Sequence, residues 1–207
     1  ENWSSFLDEK GAPTSTLIVE GANLFNTKEA RELLHSKGVA IVKDSSANKC
    51  GVMCSSYEIQ CSMLLTADEF LDNKPALVED VLVKLREAEL LFREYANYPG
   101  ALPVFSERIS NAINKVTDAI TDRLQDVDVS DPLFQSLLPL VKENLPDKLA
   151  ELAWDRVPES MPLSYQKCTI ASTLASKLVY QEGIHLVEAQ ANDAIADRAI
   201  AYYTEDN

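Results

Sequence analysis

Two short apolar runs flank one well-signalled helix, and that arrangement leaves few folds open. Leu17-Ile-Val19 is too short for a helix and reads as a strand buried on both faces. Residues 39–42, Val-Ala-Ile-Val, read the same way. Between them Asn26 is placed to cap a helix, with Glu29 three residues later as in a capping box. Ala30, Leu33 and Leu34 share one face of that helix, and Lys37-Gly38 ends it. A strand, a helix and a strand within about thirty residues make a βαβ unit, with parallel strands and a right-handed crossover. Parallel strands bring both of their C-terminal loops, Gly21-Ala22-Asn23 and residues 44–48, to one edge of the sheet. In open α/β folds that edge takes the ligand.

Past Thr66 the strand-like runs stop. The chain divides into residues 1–66, which hold the βαβ unit, and residues 67–207, which read as a helical bundle or subdomain. Thr66-Ala-Asp-Glu69 is a cap for a short helix, and Asp72-Asn-Lys-Pro75 reads as a turn. Over residues 76–97, Val78, Val81, Leu82, Leu85, Ala88, Phe92 and Tyr95 keep helical spacing, which Tyr98-Pro-Gly-Ala-Leu-Pro103 breaks. A second helix spans 106–124, with Ile109, Ile113, Val116 and Ile120 inward. Asp131-Pro132 is a cap with proline at the first helical position, and Pro139 and Pro146 cut the helix beyond it into short pieces. Val157-Pro-Glu-Ser-Met-Pro162 reads as a loop. A helix over 165–181 ends at Gly183, and a last helix spans 186–203. Ala171, Ser172, Ala175 and Ser176 give the former a small-residue surface that another helix can approach closely.

Composition narrows the function. The net charge of −14 argues against nucleic acid, whose phosphates need clustered Lys and Arg. The acidity is spread over helices and reads as solvated surface. No apolar run approaches the roughly eighteen residues of a membrane span. Cys50, Cys54, Cys61 and Cys168 form no metal or disulfide pattern, and His35 and His185 lie far from them in sequence. Cys50, Cys54, Tyr57, Cys61 and Leu64 recur as one apolar helical stripe, so the cysteines read as small buried hydrophobes in a reducing, intracellular compartment, cytoplasmic or mitochondrial. The histidines read as surface or half-buried residues without chemistry, and no catalytic or metal-binding set emerges.

Taken in order, Val19-Glu-Gly-Ala-Asn23, Lys43-Asp-Ser-Ser-Ala-Asn-Lys49, Gly51-Val52 and Ser55-Ser-Tyr-Glu58 resemble the cofactor-domain end of glutamate dehydrogenases. The Lys-Asp-Ser-Ser-Ala-Asn-Lys form resembles the large NAD-specific class of fungi and protists. Asn2-Trp3, Pro162-Leu-Ser-Tyr165 and Leu174-Ala-Ser-Lys-Leu-Val-Tyr180 are similar to flanking stretches of that class. The resemblance is strong over residues 1–66 and weaker beyond. It implies an α/β fold, in which the C-terminal βαβ part of a Rossmann-like cofactor domain precedes a mostly α-helical region. It also implies NAD as cofactor, glutamate and 2-oxoglutarate as substrates, and a homo-oligomer formed through the full-length chain. In the family the Gly-rich phosphate loop, the catalytic lysine and the catalytic aspartate lie upstream of these motifs. No G-x-G-x-x-G occurs here, so the expectation is a C-terminal segment of a longer polypeptide that does not catalyse alone.

The resemblance assigns Gly21, Ala22, Asn23 and Asn48 to the cofactor and Ser55 to the side-chain carboxylate of glutamate. From the residues alone each has a plainer reading. Gly21 serves backbone approach or positive φ, or turn geometry only. Asn23 is a turn residue, Asn48 a helix cap, and Ser55 an ordinary helix serine. Lys49 and Cys50 stand where the family carries small residues; Lys49 can attract an anion, but reads first as a solvated lysine. Asp44 reads as a strand-end residue, and Glu58 as a helix-packing or ion-pairing one. The alternative function is a helical interaction or assembly module that keeps the βαβ piece as a structural remnant.

Overall fold

The computed structural model describes residues 2–95 and 100–205; for residues 84–95 and 205 it describes the backbone alone. The chain forms two compact units, each assembled from separated stretches: residues 1–54 with 85–108, and residues 55–84 with 109–207.

The first unit holds the βαβ piece. Strand β1 is Leu17–Val19, helix α1 is Lys28–Ser36 and strand β2 is Ala40–Val42. The strands pair in parallel, Leu17 opposite Ala40, Ile18 opposite Ile41 and Val19 opposite Val42. Leu34, Val39 and Ile41 form the buried centre beneath α1, and Ile18 packs against them with Trp3, Phe6 and Leu7. Gly38 takes a φ of 88°, the left-handed turn that lets the chain leave α1 and enter β2.

The expectation of a strand buried on both faces does not hold. Leu17 and Val19 are 52% and 59% exposed, while Ile18 between them points to the helix side. Strand period two puts alternate side chains on opposite faces, and in this chain α1 packs against only one of them. Leu33, placed with Leu34 on the inner face, is also exposed. The cap of α1 differs as well. Thr27, not Asn26, accepts the Ala30 N–H at 3.2 Å, because Asn26 is buried and turned to Glu20. After β2 the single turn α2, Asp44–Ala47, leads into α3, Lys49–Leu64. Helix α5, Leu102–Leu124, begins in this unit, where Ser106 and Ser46 share a 2.8 Å hydrogen bond and Lys43 pairs with Glu107 at 3.1 Å. It starts earlier than the sequence suggested. Pro103 sits in the first turn, where no intrahelical N–H is needed.

The second unit is helical. The Thr66 cap is a reciprocal box: Thr66 Oγ1 accepts from the Glu69 N–H at 3.3 Å, and Glu69 accepts from the Thr66 N–H at 2.9 Å. It opens α4, Ala67–Tyr95, one long helix and not a short helix, a turn and a second helix. Pro75 lies inside it. Pro75 and Leu71, whose carbonyl an N–H at position 75 would pair, are both exposed, where solvent can take the place of the missing bond. Leu85, Ala88, Phe92 and Tyr95, expected on the inner face, fall outside the described side chains, as do residues 98 and 99 of the expected break.

Val116 and Ile120 of α5 are fully buried, as expected, Ile109 nearly so and Ile113 partly. Asp131 caps α6, Pro132–Leu137, by accepting the Leu133 N–H at 2.8 Å. The prolines then separate α7, Pro139–Asn144, from α8, Asp147–Ala153. The expected loop at Val157 is a short helix, α9, Val157–Ser160, because Pro158 stands in its first turn and starts a helix instead of ending one. Helix α10, Leu163–Glu182, ends at Gly183 with φ 83°. The expected last helix is two, α11, Ile184–Ala189, and α12, Asn192–Glu205. Lys115 of α5 donates to the carbonyls of Val187 at 2.8 Å and Gln190 at 2.7 Å, satisfying the end of α11 with a charge that suits a helix C-terminus.

Candidate functional site

The two loops at the carboxyl ends of β1 and β2 are joined by a buried polar cluster. Glu20 comes directly after β1 and is 2% exposed. Its carboxylate accepts from Asn26 Nδ2 at 2.8 Å, from Arg31 through both Nε and a terminal nitrogen, and from the Asp44 N–H at 3.1 Å. Arg31, on α1, also faces Asp44 Oδ1 at 3.5 Å. Asp44 in turn accepts the Leu24 N–H at 2.7 Å and the Ser45 N–H at 2.8 Å. Each carboxylate therefore accepts a backbone N–H from the other loop, and one guanidinium lies between the two charges.

Burial pushes the Glu20 carboxyl up, but the hydrogen bonds from Arg31, Asn26 and the Asp44 N–H outweigh it and hold Glu20 below its ordinary value. Asp44 is held low chiefly by the Leu24 N–H, against burial, with help from the Ser45 N–H and the charge of Arg31. The hydrogen bond to Glu20 raises Arg31. All three are ionised at neutral pH, as a buried cluster of two acids and one base requires if each charge is to keep a partner.

Four of the expected site residues, Gly21, Ala22, Asn23 and Asn48, lie in the two loops that this cluster joins. Asn48, between α2 and α3, donates from Nδ2 to Asn23 Oδ1 at 3.1 Å, so the two loops present their amides side by side. The Asn48 N–H closes α2 on the Asp44 carbonyl at 2.8 Å. Gly21 and Ala22 are exposed. Gly21 does not use positive φ, and a Cβ there would meet open space, so close approach from outside is unobstructed. Leu24 instead holds the left-handed conformation, φ 55°, with its side chain 86% exposed. Ser55 lies in the second turn of α3 and is exposed.

Several other expectations change. Lys49 is half-buried, not solvated, and burial pushes its ammonium pKa down. Cys50 and Cys168 are exposed, and only Cys61 is buried. Packing covers just the C-terminal end of α3, at Gln60, Cys61 and Leu64. Asp44 is more than a strand-end residue, since its carboxylate holds the neighbouring loop. Glu58 is exposed, and His35 and His185 are exposed as the surface reading expected. A groove of about 1010 Å³ in the second unit, lined by Asn144, Ser172, Ser176, Lys177, Tyr180 and Tyr202 among others, contains none of the expected site residues. Ser172 and Ser176 of the small-residue surface open into it, while Ala171 and Ala175 are buried. Among the described residues no helix is long and apolar enough to cross a membrane.

Reading the sequence missed the roles of Glu20 and Arg31. A signal existed: Arg31 lies within the stripe of Ala30 and Leu34, three positions before Leu34, where only a paired charge is tolerable.

Two polar loops at the carboxyl edge of a parallel strand pair stand where open α/β folds take their ligands. The chain belongs to the Glutamate/Leucine/Phenylalanine/Valine dehydrogenase family, whose description matches residues 7–120. Among its relatives, Glutamate dehydrogenase 2 of Dictyostelium discoideum is 33% identical, over 82% of this chain and 17% of that protein. The NAD-specific glutamate dehydrogenase of Saccharomyces cerevisiae is 33% identical, over 88% of this chain and 18% of its own length. That of Neurospora crassa is 31% identical, over 86% and 18%. The chain thus spans less than a fifth of the length of these relatives. No solved structure matches.

Proposed function

We propose that this chain is part of an NAD-dependent glutamate dehydrogenase, which converts glutamate to 2-oxoglutarate and ammonia. The observation that carries the reading is the Asn48–Asn23 pair at the carboxyl edge of two parallel strands, within the stretch that matches the dehydrogenase family. In such a reaction NAD accepts the hydride lost from the α-carbon of glutamate. The residues present fit a nicotinamide or its ribose. The Asn pair uses one N–H and one acceptor on itself, which leaves Asn48 Oδ1, its second N–H and the Asn23 amide nitrogen to meet a ligand. The open side of Gly21 gives the ligand room against the backbone. In this reading Gly21, Ala22, Asn23 and Asn48 orient the cofactor, and Ser55 donates its hydroxyl to the side-chain carboxylate of the substrate.

The finer architecture belongs to the same proposal. The sheet is the end of a Rossmann-like domain whose other strands come from elsewhere in the full-length polypeptide, residues 1–66 close that domain, and the protein works as a homo-oligomer. Proton transfer and carbonyl polarisation belong to groups outside this chain.

The test is steady-state kinetics of the full-length enzyme. A hydroxyl given to a charged carboxylate contributes roughly 1.5–3 kcal/mol, so Ser55→Ala should raise KM for glutamate about tenfold to a hundredfold. KM for NAD should stay nearly unchanged, whereas Asn48→Ala should act chiefly on NAD. A glutamate KM within about twofold of wild type for Ser55→Ala would remove that residue from the substrate site.

A further inference from the structure

We infer that the buried Glu20–Arg31–Asp44 cluster is a positioning device that sets the separation of the Asn23 and Asn48 amides, with Arg31 as its organising residue. The inference rests on the reading of those amides as cofactor contacts.

The geometry carries it in three steps. First, the loop after β1 is not held by its own hydrogen bonds at Leu24. Its N–H is taken by Asp44 at 2.7 Å, across a sequence separation of 20 residues. Second, Leu24 is in the left-handed region at φ 55° with its side chain exposed, so no packing of that side chain stabilises a backbone that L-residues disfavour. The Asp44 carboxylate is what holds it, immediately after Asn23. Third, the same aspartate begins the turn that ends at Asn48, whose N–H returns to the Asp44 carbonyl at 2.8 Å. One residue therefore holds the neighbours of both amides, and Glu20 repeats the link in the other direction by accepting the Asp44 N–H.

Two carboxylates this close repel each other. Arg31 offers nitrogens to both, and a guanidinium fork can do so from a fixed plane while an ammonium cannot. Each of the three residues is only 2% to 8% exposed, and Arg31 also lines a small cavity of about 150 Å³ with Lys28, His35 and Glu107, which includes neither Asn23 nor Asn48. In this inference the cluster acts on a cofactor through Asn23 and Asn48.

The experiment uses full-length Arg31→Lys, which keeps the charge and so leaves no uncompensated acid. Hydrogen exchange of the backbone amides of residues 20–26 and 43–48 should quicken by about tenfold or more. KM for NAD should rise roughly fivefold, with KM for glutamate within about twofold of wild type. Combining Arg31→Lys with Asn48→Ala should add little to the NAD effect of Asn48→Ala, because both remove the same contact. Should Arg31→Lys not fold, Asp44→Asn carries the same readings, since its amide can accept only one of the two N–H groups. Unchanged exchange overturns the inference, as does faster exchange with an unchanged NAD KM, or full additivity in the double variant. If Asn48→Ala alone leaves the NAD KM unchanged, the cofactor reading of the amides fails and this inference fails with it. If Asn48→Ala acts and Arg31→Lys does not, the inference alone fails.

Discussion

At the scale of single residues, the charge balance around Arg31 decides how this chain responds to acid and to mutation. Glu20 is held below its ordinary value of 4.5 and Asp44 below 3.8. A depressed carboxyl contributes stability that is present in full above its unfolded pKa and is lost as pH falls through the lower, folded one. Urea midpoints taken from about pH 6 down to about pH 3 should therefore fall on an acid limb that Glu20→Gln flattens. A limb of equal steepness in the variant would show that Glu20 is not responsible for it. Removing the base is harsher. Arg31→Met leaves two buried carboxylates facing each other without a counter-charge, and chemical denaturation should show a loss of about 3–5 kcal/mol.

At the scale of elements, helix boundaries obey local chemistry where the chain supplies its own caps. They depart from it where a partner or solvent intervenes. Asp131-Pro132, Thr66 with Glu69, and Gly183 act locally, and each was legible. Glu69 is also gripped by Arg156 at 2.8 Å, which, with the Thr66 hydrogen bonds, holds its pKa down to about 2. Arg156 reaches the Leu64 carbonyl as well, so one side chain joins the end of α3 to the start of α4. Pro75 is the opposite case, a helix breaker tolerated because its turn faces water. Pro75→Ala should restore the missing hydrogen bond and raise stability by roughly 1–3 kcal/mol, read as a higher melting temperature. A lower melting temperature would mean that the proline is held for its ring, not merely tolerated.

At the scale of the whole molecule, the sheet carries an unsatisfied face. Leu17 and Val19 are more than half exposed on a sheet of two strands, with Leu24 and Phe25 exposed in the loop beside them. Small two-stranded sheets are marginal, and apolar faces of this kind promote association. The chain by itself should self-associate on size-exclusion chromatography, and Leu17→Lys with Val19→Thr should shift it toward the monomer without lowering its urea midpoint. The same pair of changes in the full-length protein should destabilise it, if further strands and helices pack on that face. The chain alone should give no glutamate-dependent reduction of NAD above background, because it contains no Gly-x-Gly-x-x-Gly phosphate loop to hold the cofactor. Turnover from a preparation free of longer protein would overturn that expectation.

The amino-acid order by itself determined the features that depend on neighbours a few residues away. The two strands, the helix between them, their parallel pairing, the proline cuts at 139 and 146, and the stop at Gly183 all rest on periodicity and backbone restriction. That the loops carrying Asn23 and Asn48 share one edge was also legible, since the strands are parallel; that the two amides meet was not. Tertiary structure decided the rest, because it turns on which groups meet across long separations. Asn26 gave up the cap of α1 to Thr27 because Glu20, just after the preceding strand, needed a donor. Residues 186–203 split into two helices where Lys115, far earlier in the chain, donates to the carbonyls at their junction. Leu17, Val19 and Cys50 are exposed because burial depends on what packs against an element, which the element's own pattern does not record. Arg31, a charge set in the apolar stripe of α1, and Asp44, read as a strand-end residue, become one buried cluster with Glu20 only when folding removes water from around them and each must find a partner.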